Sequence, residues 1–232
     1  MKKIKVIVVD DERLAREEVK RMLLQYPDIV VTGEADNATD AVRIIKQFGP
    51  DLILLDIQMP GQSGFDLLDM LEEIPEVIFI TAFDEWAVKA FEVNALDYLV
   101  KPVRQERFEK MIDKLRQRMA DKKVEKQIFV RDGQKYYFIR QPDLFLIESV
   151  GNYAKLHFRD KTALLKRSLN QLENTLDPAL FFRVNRSQLI NLKFIETIGQ
   201  LPGGKLRITL SKGITVEASE RQSAKFRSLD RT

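Results

Sequence analysis

The first half of the chain alternates five times between short apolar runs and segments with helical spacing. The runs are β-branched or leucine-rich and are Lys3–Val9, Ile29–Glu34, Leu52–Asp56, Val77–Thr81 and Asp97–Val100. Between the second and third runs, apolar residues recur at positions i, i+3, i+4 and i+7, which is the spacing of one helix face. Because these runs are apolar on both faces, we expect a doubly wound (βα)5 domain of the α/β class, in which helices cover both sides of a five-stranded parallel sheet.

After a charged stretch at residues 116–127, the hydrophobic period changes to two, which is the period of β-strands. The predicted strands of this half are Ile128–Arg131, Tyr136–Ile139, Leu144–Ser149, Tyr153–Phe158, Thr162–Leu165, Ile195–Ile198, Leu206–Leu210 and Ile214–Val216. Ser-x-x-Gln capping patterns at Ser168 and Ser219 predict two short helices among them. The second half is therefore expected to be mainly β.

The two halves also differ in charge. Residues 1–120 hold 17 Lys and Arg against 23 Asp and Glu, a net of −6, whereas the remaining 112 residues hold 21 against 12, a net of +9. An acidic segment joined to a basic one is typical of two domains with different partners, and the basic one suits a polyanion. We expect a domain over residues 1–121, a linker over 122–127 and a mainly β domain over 128–232.

The composition excludes several classes of protein. The chain has no cysteine, which excludes disulfides, thiolate metal sites and cysteine nucleophiles. Its longest apolar runs are strand-length, far short of the roughly 18–20 apolar residues of a membrane-spanning helix. The N-terminal stretch "MKKIKVIVVDDE" ends in three acids, so it predicts a strand and not a signal peptide. We expect a cytoplasmic protein without a membrane partner.

Polar side chains follow the carboxyl ends of four of the predicted parallel strands. In chain order they are Asp10, Asp11, Glu12, Asp56, Thr81 and Lys101. Ligands of open α/β sheets bind at this edge. Clustered carboxylates repel one another unless a cation lies among them, and their oxygen atoms suit Mg²⁺. An aspartate beside a metal ion and a lysine can act as a nucleophile toward a phosphoryl group.

The segments "VIVVDDE", "DLILLDIQMPGQSG", "VIFITA" and "DYLVKP" resemble, in order and spacing, the motifs of response-regulator receiver domains over residues 3–120. The stretch "TAFDEWAVKAFEVNALDYLVKP" resembles the LytR/AlgR subgroup in particular. The resemblance implies that a sensor histidine kinase phosphorylates Asp56. It also implies a Mg²⁺ site formed by Asp10, Asp11, Asp56 and the backbone carbonyl of Gln58.

The same resemblance implies a conformational switch. Lys101 would contact the phosphoryl group, and Pro102 would follow a cis peptide. Thr81 and Tyr98 would be the switch pair: Thr81 moves toward the phosphoryl oxygens, which gives Tyr98 space to rotate inward. The surface around the fourth helix, the fifth strand and the fifth helix would change as a result and favour a receiver homodimer.

A magnesium-dependent phosphohydrolase of the haloacid dehalogenase type is the enzymatic alternative, because it uses a similar set of residues. In those enzymes an aspartate two positions after the nucleophile acts as general acid. This chain has Gln58 at that position, which cannot exchange a proton in that way. The acidic pair also comes first in the chain, which fits that family poorly. We therefore expect a regulator that is not an enzyme and has no catalytic residues of its own.

The basic half carries cationic and amide side chains on several predicted loops. They are Asn152, Tyr153, Lys155, Arg167, Arg183, Asn185, Arg186, Gln188, Arg221, Gln222 and Lys225. Arg and Lys neutralise DNA phosphates, and Arg, Asn and Gln can also hydrogen-bond to base edges. Composition alone leaves double-stranded DNA, an acidic protein partner and other anions open.

The segments "LFLIESVGNYAKLHF", "SLNQLENTL", "FFRVNRSQLINLKFIETI" and "GITVEASERQSAKFRSL" resemble the LytTR DNA-binding domain over residues 127–230. The resemblance implies a β-rich, elongated domain whose loops enter the major grooves of paired half-sites. By position, the first candidates for DNA contacts are Arg186, Arg221 and the Asn152–Lys155 loop, which includes Tyr153. A second set consists of Arg183, Asn185, Gln188, Gln222 and Lys225.

Two residues depart from the pattern of that family. Asn185 stands where Arg-x-His-Arg-Ser usually has histidine, and Glu220 stands where Ser-Arg-Arg usually has arginine. Both changes bear on base preference, since asparagine bonds adenine differently from histidine. The single histidine, His157, lies in a predicted strand, where we expect it to pack.

The segment "FFRVNRSQLINL" at residues 181–192 mixes polar and apolar residues. We interpret it as a short DNA-contacting loop that its own apolar residues anchor to the β-core. These anchors are Phe181, Phe182, Val184, Leu189, Ile190 and Leu192. The sequence as a whole predicts a transcriptional response regulator that phosphorylation switches to a DNA-binding dimer. A module whose receiver gates binding to an acidic protein is the alternative.

Overall fold

The computed structural model describes residues 3–82, 95–120, 127–133 and 135–229. The chain forms two compact units. The first comprises Met1–Phe129 with Lys135–Phe138, and the second comprises Val130–Gln134 with Ile139–Thr232. No helix among the described residues is both long and apolar enough to span a bilayer.

The first unit contains a five-stranded parallel sheet, which confirms the predicted α/β architecture. Its strands are β1 Ile4–Val9, β2 Ile29–Ala35, β3 Leu52–Leu55, β4 Glu76–Thr81 and β5 Asp97–Val100. They lie in the order β2-β1-β3-β4-β5. The helices are α1 Arg13–Leu23, α2 Ala38–Phe48, α3 Gly64–Asp69 and α4 Gln105–Ala120. Because the strand order reverses beside β1, a crevice forms beyond the carboxyl ends of β1 and β3.

Both faces of this sheet are buried, which is why its strands are apolar at consecutive positions. Alternate residues of a strand point to opposite faces, so Ile7 and Val9 join one core and Val6 and Val8 join the other. The helix α4 contributes a stripe to the second core, and Phe108, Met111, Ile112 and Leu115 are all buried there.

A two-stranded hairpin extends the first core. It is formed by β6 Gln127–Asp132 and β7 Lys135–Arg140. The Tyr136 ring stacks on Phe65 with centroids 4.2 Å apart, and the Phe138 ring meets Phe79 edge-on with centroids 6.4 Å apart. The aromatic residues of this hairpin therefore complete the packing around the start of α3.

The second unit is mainly β, as predicted. A five-stranded antiparallel sheet has the order β10-β9-β8-β12-β11, and its strands in chain order are β8 Leu144–Val150, β9 Tyr153–Phe158, β10 Lys161–Leu165, β11 Phe181–Asn185 and β12 Gln188–Asn191. A three-stranded sheet consists of β13 Ile195–Gln200, β14 Leu206–Leu210 and β15 Ile214–Ala218. The two short helices are α5 Leu169–Thr175 and α6 Glu220–Leu229. Ser168 caps α5 in a reciprocal capping box with Gln171, as its sequence predicts.

The segment at residues 181–192 is a β-hairpin, so its interpretation as a loop was wrong. Strands β11 and β12 pair in antiparallel fashion, and β12 also pairs with β8. The predicted apolar anchors are nevertheless confirmed: Leu192 is partly buried and the others are buried, namely Phe181, Phe182, Val184, Leu189 and Ile190. Among its polar residues, Arg186 in the turn is exposed and Asn191 is fully buried, whereas the rest are half-buried, namely Arg183, Asn185, Ser187 and Gln188.

Candidate functional site

A lysine joins two buried carboxylates at the carboxyl edge of the parallel sheet. Asp10 follows β1, Asp56 follows β3 and Lys101 follows β5, so strand order brings the three together. Lys101 Nζ lies 2.7 Å from Asp10 Oδ2 and 2.7 Å from Asp56 Oδ2. Asp10 is only 4% exposed and Asp56 only 5%. These residues form the acidic cluster that the sequence predicts.

The electrostatics of the cluster depend on this shared cation. Burial raises the pKa of Asp10 above its usual value, although the hydrogen bond from Lys101 opposes the rise. Burial by itself lowers the pKa of Lys101, but its hydrogen bonds to Asp10 and Asp56 outweigh that effect and raise it. Lys101 is therefore a stable ammonium at neutral pH.

Three carboxylates of the cluster are placed to hold a divalent cation. Oxygen atoms of Asp10, Asp11 and Asp56 all lie within 4.8 Å of one another. Gln58 lies beside them, and its backbone N–H donates to Asp56 Oδ1 at 3.1 Å. All these ligands are hard oxygen donors, as Mg²⁺ prefers. The residues present therefore fit the predicted metal ion.

Of the two predicted switch residues, Thr81 lines the same recess as Asp56 and Lys101. Thr81, at the end of β4, is fully buried, and its Oγ1 is the one buried side-chain polar atom in the described ranges without a hydrogen-bond partner. Tyr98 in β5 is also buried, at 6% exposure. The peptide bond between Lys101 and Pro102 is cis. An unpaired buried hydroxyl is costly, so Thr81 is ready to donate to an oxygen atom that enters the crevice.

The backbone behind Asp56 requires a glycine that the sequence analysis did not identify. A Cβ on Gly64 would lie 2.3 Å from the carbonyl oxygen of Asp56. Ser63 caps α3 through a reciprocal capping box with Asp66. Gly64 is thus the first helical residue and packs directly against the backbone of Asp56. The glycine after the capping serine in "GQSG" was the available signal.

In the second unit, one polar recess brings together several of the predicted DNA-contact residues. Asn152 and Tyr153 at the β8–β9 turn line it, together with Arg167, Arg183 and Arg186. Arg186, Asn152 and Tyr153 are exposed. The remaining candidates do not line this recess: Lys155 is half-buried on β9, and α6 carries exposed Arg221 and Lys225 and half-buried Gln222.

Other polar residues of this unit are occupied within the protein. The Arg183 guanidinium donates to the carbonyl oxygens of Asn185 and Arg186 and pairs with Glu173. His157 lies in β9, and its Nε2 is 2.8 Å from Glu148 Oε2. Burial lowers the pKa of His157, although the hydrogen bond to Glu148 opposes the shift. His157 therefore packs within the sheet, as predicted.

Comparison with known proteins matches both units. Residues 6–113 match the response regulator receiver domain, and residues 134–230 match the LytTr DNA-binding domain. The transcriptional regulatory protein BtsR of Escherichia coli K12 is 36% identical over 231 residues, which cover 94% of this chain and 95% of BtsR. The sensory transduction protein LytT of Enterococcus faecalis is 31% identical over 234 residues, which cover 96% of this chain and 97% of LytT.

A solved structure also resembles part of the chain. The response regulatory domain of protein mrkE from Klebsiella pneumoniae is 33% identical and covers 51% of this chain and 99% of its own, with a TM-score of 0.47. The family resemblance stated from the sequence motifs is confirmed by the two domain matches and the two relatives.

We predict that Gly64→Ala disrupts the acidic cluster. The new methyl group must displace the Asp56 backbone, which overpacks the site at a cost of about 1–3 kcal/mol. Isothermal titration should show weaker Mg²⁺ binding, and chemical denaturation should show lower stability. Gly199→Ala is the matched control, because the nearest atom to its new Cβ lies 4.0 Å away. Unchanged Mg²⁺ affinity in Gly64→Ala would contradict this close packing.

Proposed function

This chain belongs to the response regulators that join a receiver domain to a LytTR DNA-binding domain, and we propose that phosphorylation of Asp56 controls its binding to DNA. One observation carries the proposal. Lys101 bridges Asp10 and Asp56, and the unpaired hydroxyl of buried Thr81 lies on the neighbouring strand. A nucleophilic carboxylate, a cation and a hydroxyl donor are the groups that a phosphoryl acceptor site needs.

The proposed reaction is a phosphoryl transfer from a sensor histidine kinase. An Asp56 carboxylate oxygen attacks the phosphorus of the phosphohistidine, the N–P bond breaks, and an acyl phosphate forms. Lys101 Nζ exchanges a carboxylate partner for a phosphoryl oxygen, and Thr81 donates to another. Mg²⁺ would supply positive charge that neutralises the phosphoryl oxygens. It would be held by Asp10, Asp11, Asp56 and the backbone carbonyl of Gln58.

Thr81 and Tyr98 form the proposed switch. The acyl phosphate adds acceptor oxygens near Thr81, which gives its hydroxyl the partner it lacks. A shift of Thr81 changes the packing around Tyr98 and therefore the surface of β5 and α4, which favours a homodimer. The helix α4 at Gln105–Ala120 corresponds to the fifth helix that the sequence predicts. The predicted fourth helix falls in residues 83–94, outside the described residues.

The second unit is the proposed DNA-contacting part. The exposed residues Arg186, Arg221, Asn152 and Tyr153 are the first candidates for contacts, together with half-buried Lys155 on β9. The second set predicted from the sequence consists of Arg183, Asn185, Gln188, Gln222 and Lys225. A dimer would hold two such units near paired half-sites and so raise their effective concentration. This unit carries an excess of positive charge, which attracts a polyanion such as DNA.

Residues 1–121 and 128–232 are the proposed functional domains, joined by a linker at 122–127. We propose the cytoplasm as the location, since both the kinase phosphodonor domain and the chromosomal DNA would be reached there. The partner kinase is defined only by its chemistry: its phosphohistidine donates the phosphoryl group.

We predict that acetyl phosphate or BeF₃⁻, with Mg²⁺, shifts the protein toward a dimer. Added negative charge at Asp56 drives the switch, so Asp56→Ala should abolish the shift in analytical ultracentrifugation. Asp69→Ala is the control, because it removes an exposed carboxylate at the end of α3 instead of the buried one at Asp56. This variant should shift toward a dimer as the wild type does. Normal phosphoryl incorporation into Asp56→Ala would show that the acceptor is assigned to the wrong residue.

We predict that Arg186→Ala weakens binding to a duplex selected from random DNA by the full chain. Loss of one base or phosphate contact costs about 1–3 kcal/mol, while phosphorylation and folding stay unchanged. Arg43→Ala removes the same charge from an exposed position in the first unit and should bind normally. Wild-type affinity of a folded Arg186→Ala protein would remove Arg186 from the contacts. If selection enriches no sequence and an acidic protein is captured instead, the DNA-binding proposal fails.

A further inference from the structure

The turn between β11 and β12 is held by a chain of side-chain hydrogen bonds that starts at Glu148. We propose that Glu148 is a positioning residue for this turn. Asn185 stabilises the turn and contacts no base. Arg186 is the side chain that the turn presents for contact with DNA. This inference rests on the proposed DNA-binding function. It changes the role of Asn185, which the sequence analysis connected with base preference.

Asn185 has no hydrogen-bonding capacity left for a base. Its Nδ2 donates to Gln188 Oε1 at 2.8 Å and to the carbonyl oxygen of Glu217 at 2.9 Å. Its Oδ1 accepts from the backbone N–H of Ser187 at 2.9 Å and from its hydroxyl at 3.1 Å. An asparagine side chain has two donors and two acceptor sites, so all four are used. Contact with adenine requires one free donor and one free acceptor.

Glu148 sets the direction of this chain of hydrogen bonds. Gln188 on β12 lies opposite Glu148 on β8 in the sheet register, and Gln188 Nε2 donates to Glu148 Oε1 at 2.9 Å. A carboxylate only accepts hydrogen bonds, so the NH₂ group of Gln188 must face Glu148. Its Oε1 must then face Asn185, which in turn directs Oδ1 of Asn185 toward Ser187. The other carboxylate oxygen of Glu148 is held by His157 at 2.8 Å.

Arg183 fixes the main chain of the turn through a second set of hydrogen bonds. Arg183 donates from Nε to the Asn185 carbonyl at 2.9 Å and from a terminal nitrogen to the Arg186 carbonyl at 2.6 Å. Its other terminal nitrogen contacts Asn170 Oδ1 at 2.9 Å and Glu173 Oε2 at 3.0 Å. The Arg183 side chain is only 15% exposed. The positive charge of Arg183 is therefore paired within the protein.

Arg186 is the exception in this hairpin. Its side chain is exposed and makes no hydrogen bond or ion pair with any residue in the described part of the chain. It also lines the recess that Asn152 and Tyr153 share. Arg183, Asn185 and Gln188 therefore form the frame, and the guanidinium of Arg186 is free to contact a guanine edge or a phosphate.

The test compares Glu148→Leu with Glu148→Gln in the full chain, with the duplex selected by the wild-type protein as probe. Removing a negative charge near DNA strengthens binding by electrostatics alone. Loss of affinity in Glu148→Leu therefore has to come from the turn. We expect Glu148→Leu to bind about tenfold more weakly. Glu148→Gln keeps an acceptor oxygen for Gln188 and should bind at least as tightly as wild type.

A double mutant shows whether Glu148 acts through Arg186. If it does, Glu148→Leu with Arg186→Ala binds no more weakly than Arg186→Ala alone, whereas independent effects multiply. Gln188→Met removes the link between Glu148 and Asn185 in the same chain and should match Glu148→Leu, which provides a second route if Glu148→Leu folds poorly. Wild-type affinity of folded Glu148→Leu and Gln188→Met, or multiplied losses in the double mutant, would overturn the proposal.

A measurement without DNA separates this inference from the proposed function. In ¹H–¹⁵N spectra, the side-chain NH₂ signals of Asn185 should shift and exchange faster with water in Glu148→Leu and stay unchanged in Glu148→Gln. Unchanged Asn185 signals in Glu148→Leu would refute the positioning role, even if the protein binds DNA. Changed signals in a protein that selects no DNA sequence would support the hydrogen-bonded frame and refute the proposed function instead.

Discussion

The ammonium group of Lys101, shared by the carboxylates of Asp10 and Asp56, is the interaction on which the receiver site depends. Two buried carboxylates so close together would otherwise repel each other or take up a proton. The contact requires β1, β3 and β5 to end at one edge of the sheet, and the parallel order of the strands provides this. The two apolar cores that cover the sheet therefore also position its charged site.

The receiver fold and its site were predictable because each depends on local patterns. Strands buried on both faces are apolar at consecutive positions, and their polar end residues lie at one edge by geometry alone. Gly64 was not identified, since its close approach to the Asp56 carbonyl depends on how α3 packs. The unpaired state of the Thr81 hydroxyl likewise depends on every neighbouring side chain.

The hairpin at residues 181–192 was misinterpreted for a physical reason. Buried Phe182 and Val184 alternate with less buried Arg183 and Asn185, so a strand pattern is present. The turn at Arg186 and Ser187 lacks the glycine that usually marks a two-residue hairpin turn, and the segment therefore looked like a loop. The partners of its polar residues lie as far away as Glu148 and Glu217, which no local pattern connects.

We propose that charge added at the acidic edge of the first unit changes how the second unit binds DNA. The most direct test is the Kd of the full chain for its selected paired-site duplex, measured with and without BeF₃⁻ in the presence of Mg²⁺ at fixed salt. We predict at least about tenfold tighter binding with BeF₃⁻, within the usual range of coupling between two sites. Equal affinity under both conditions would show that the receiver does not control DNA binding.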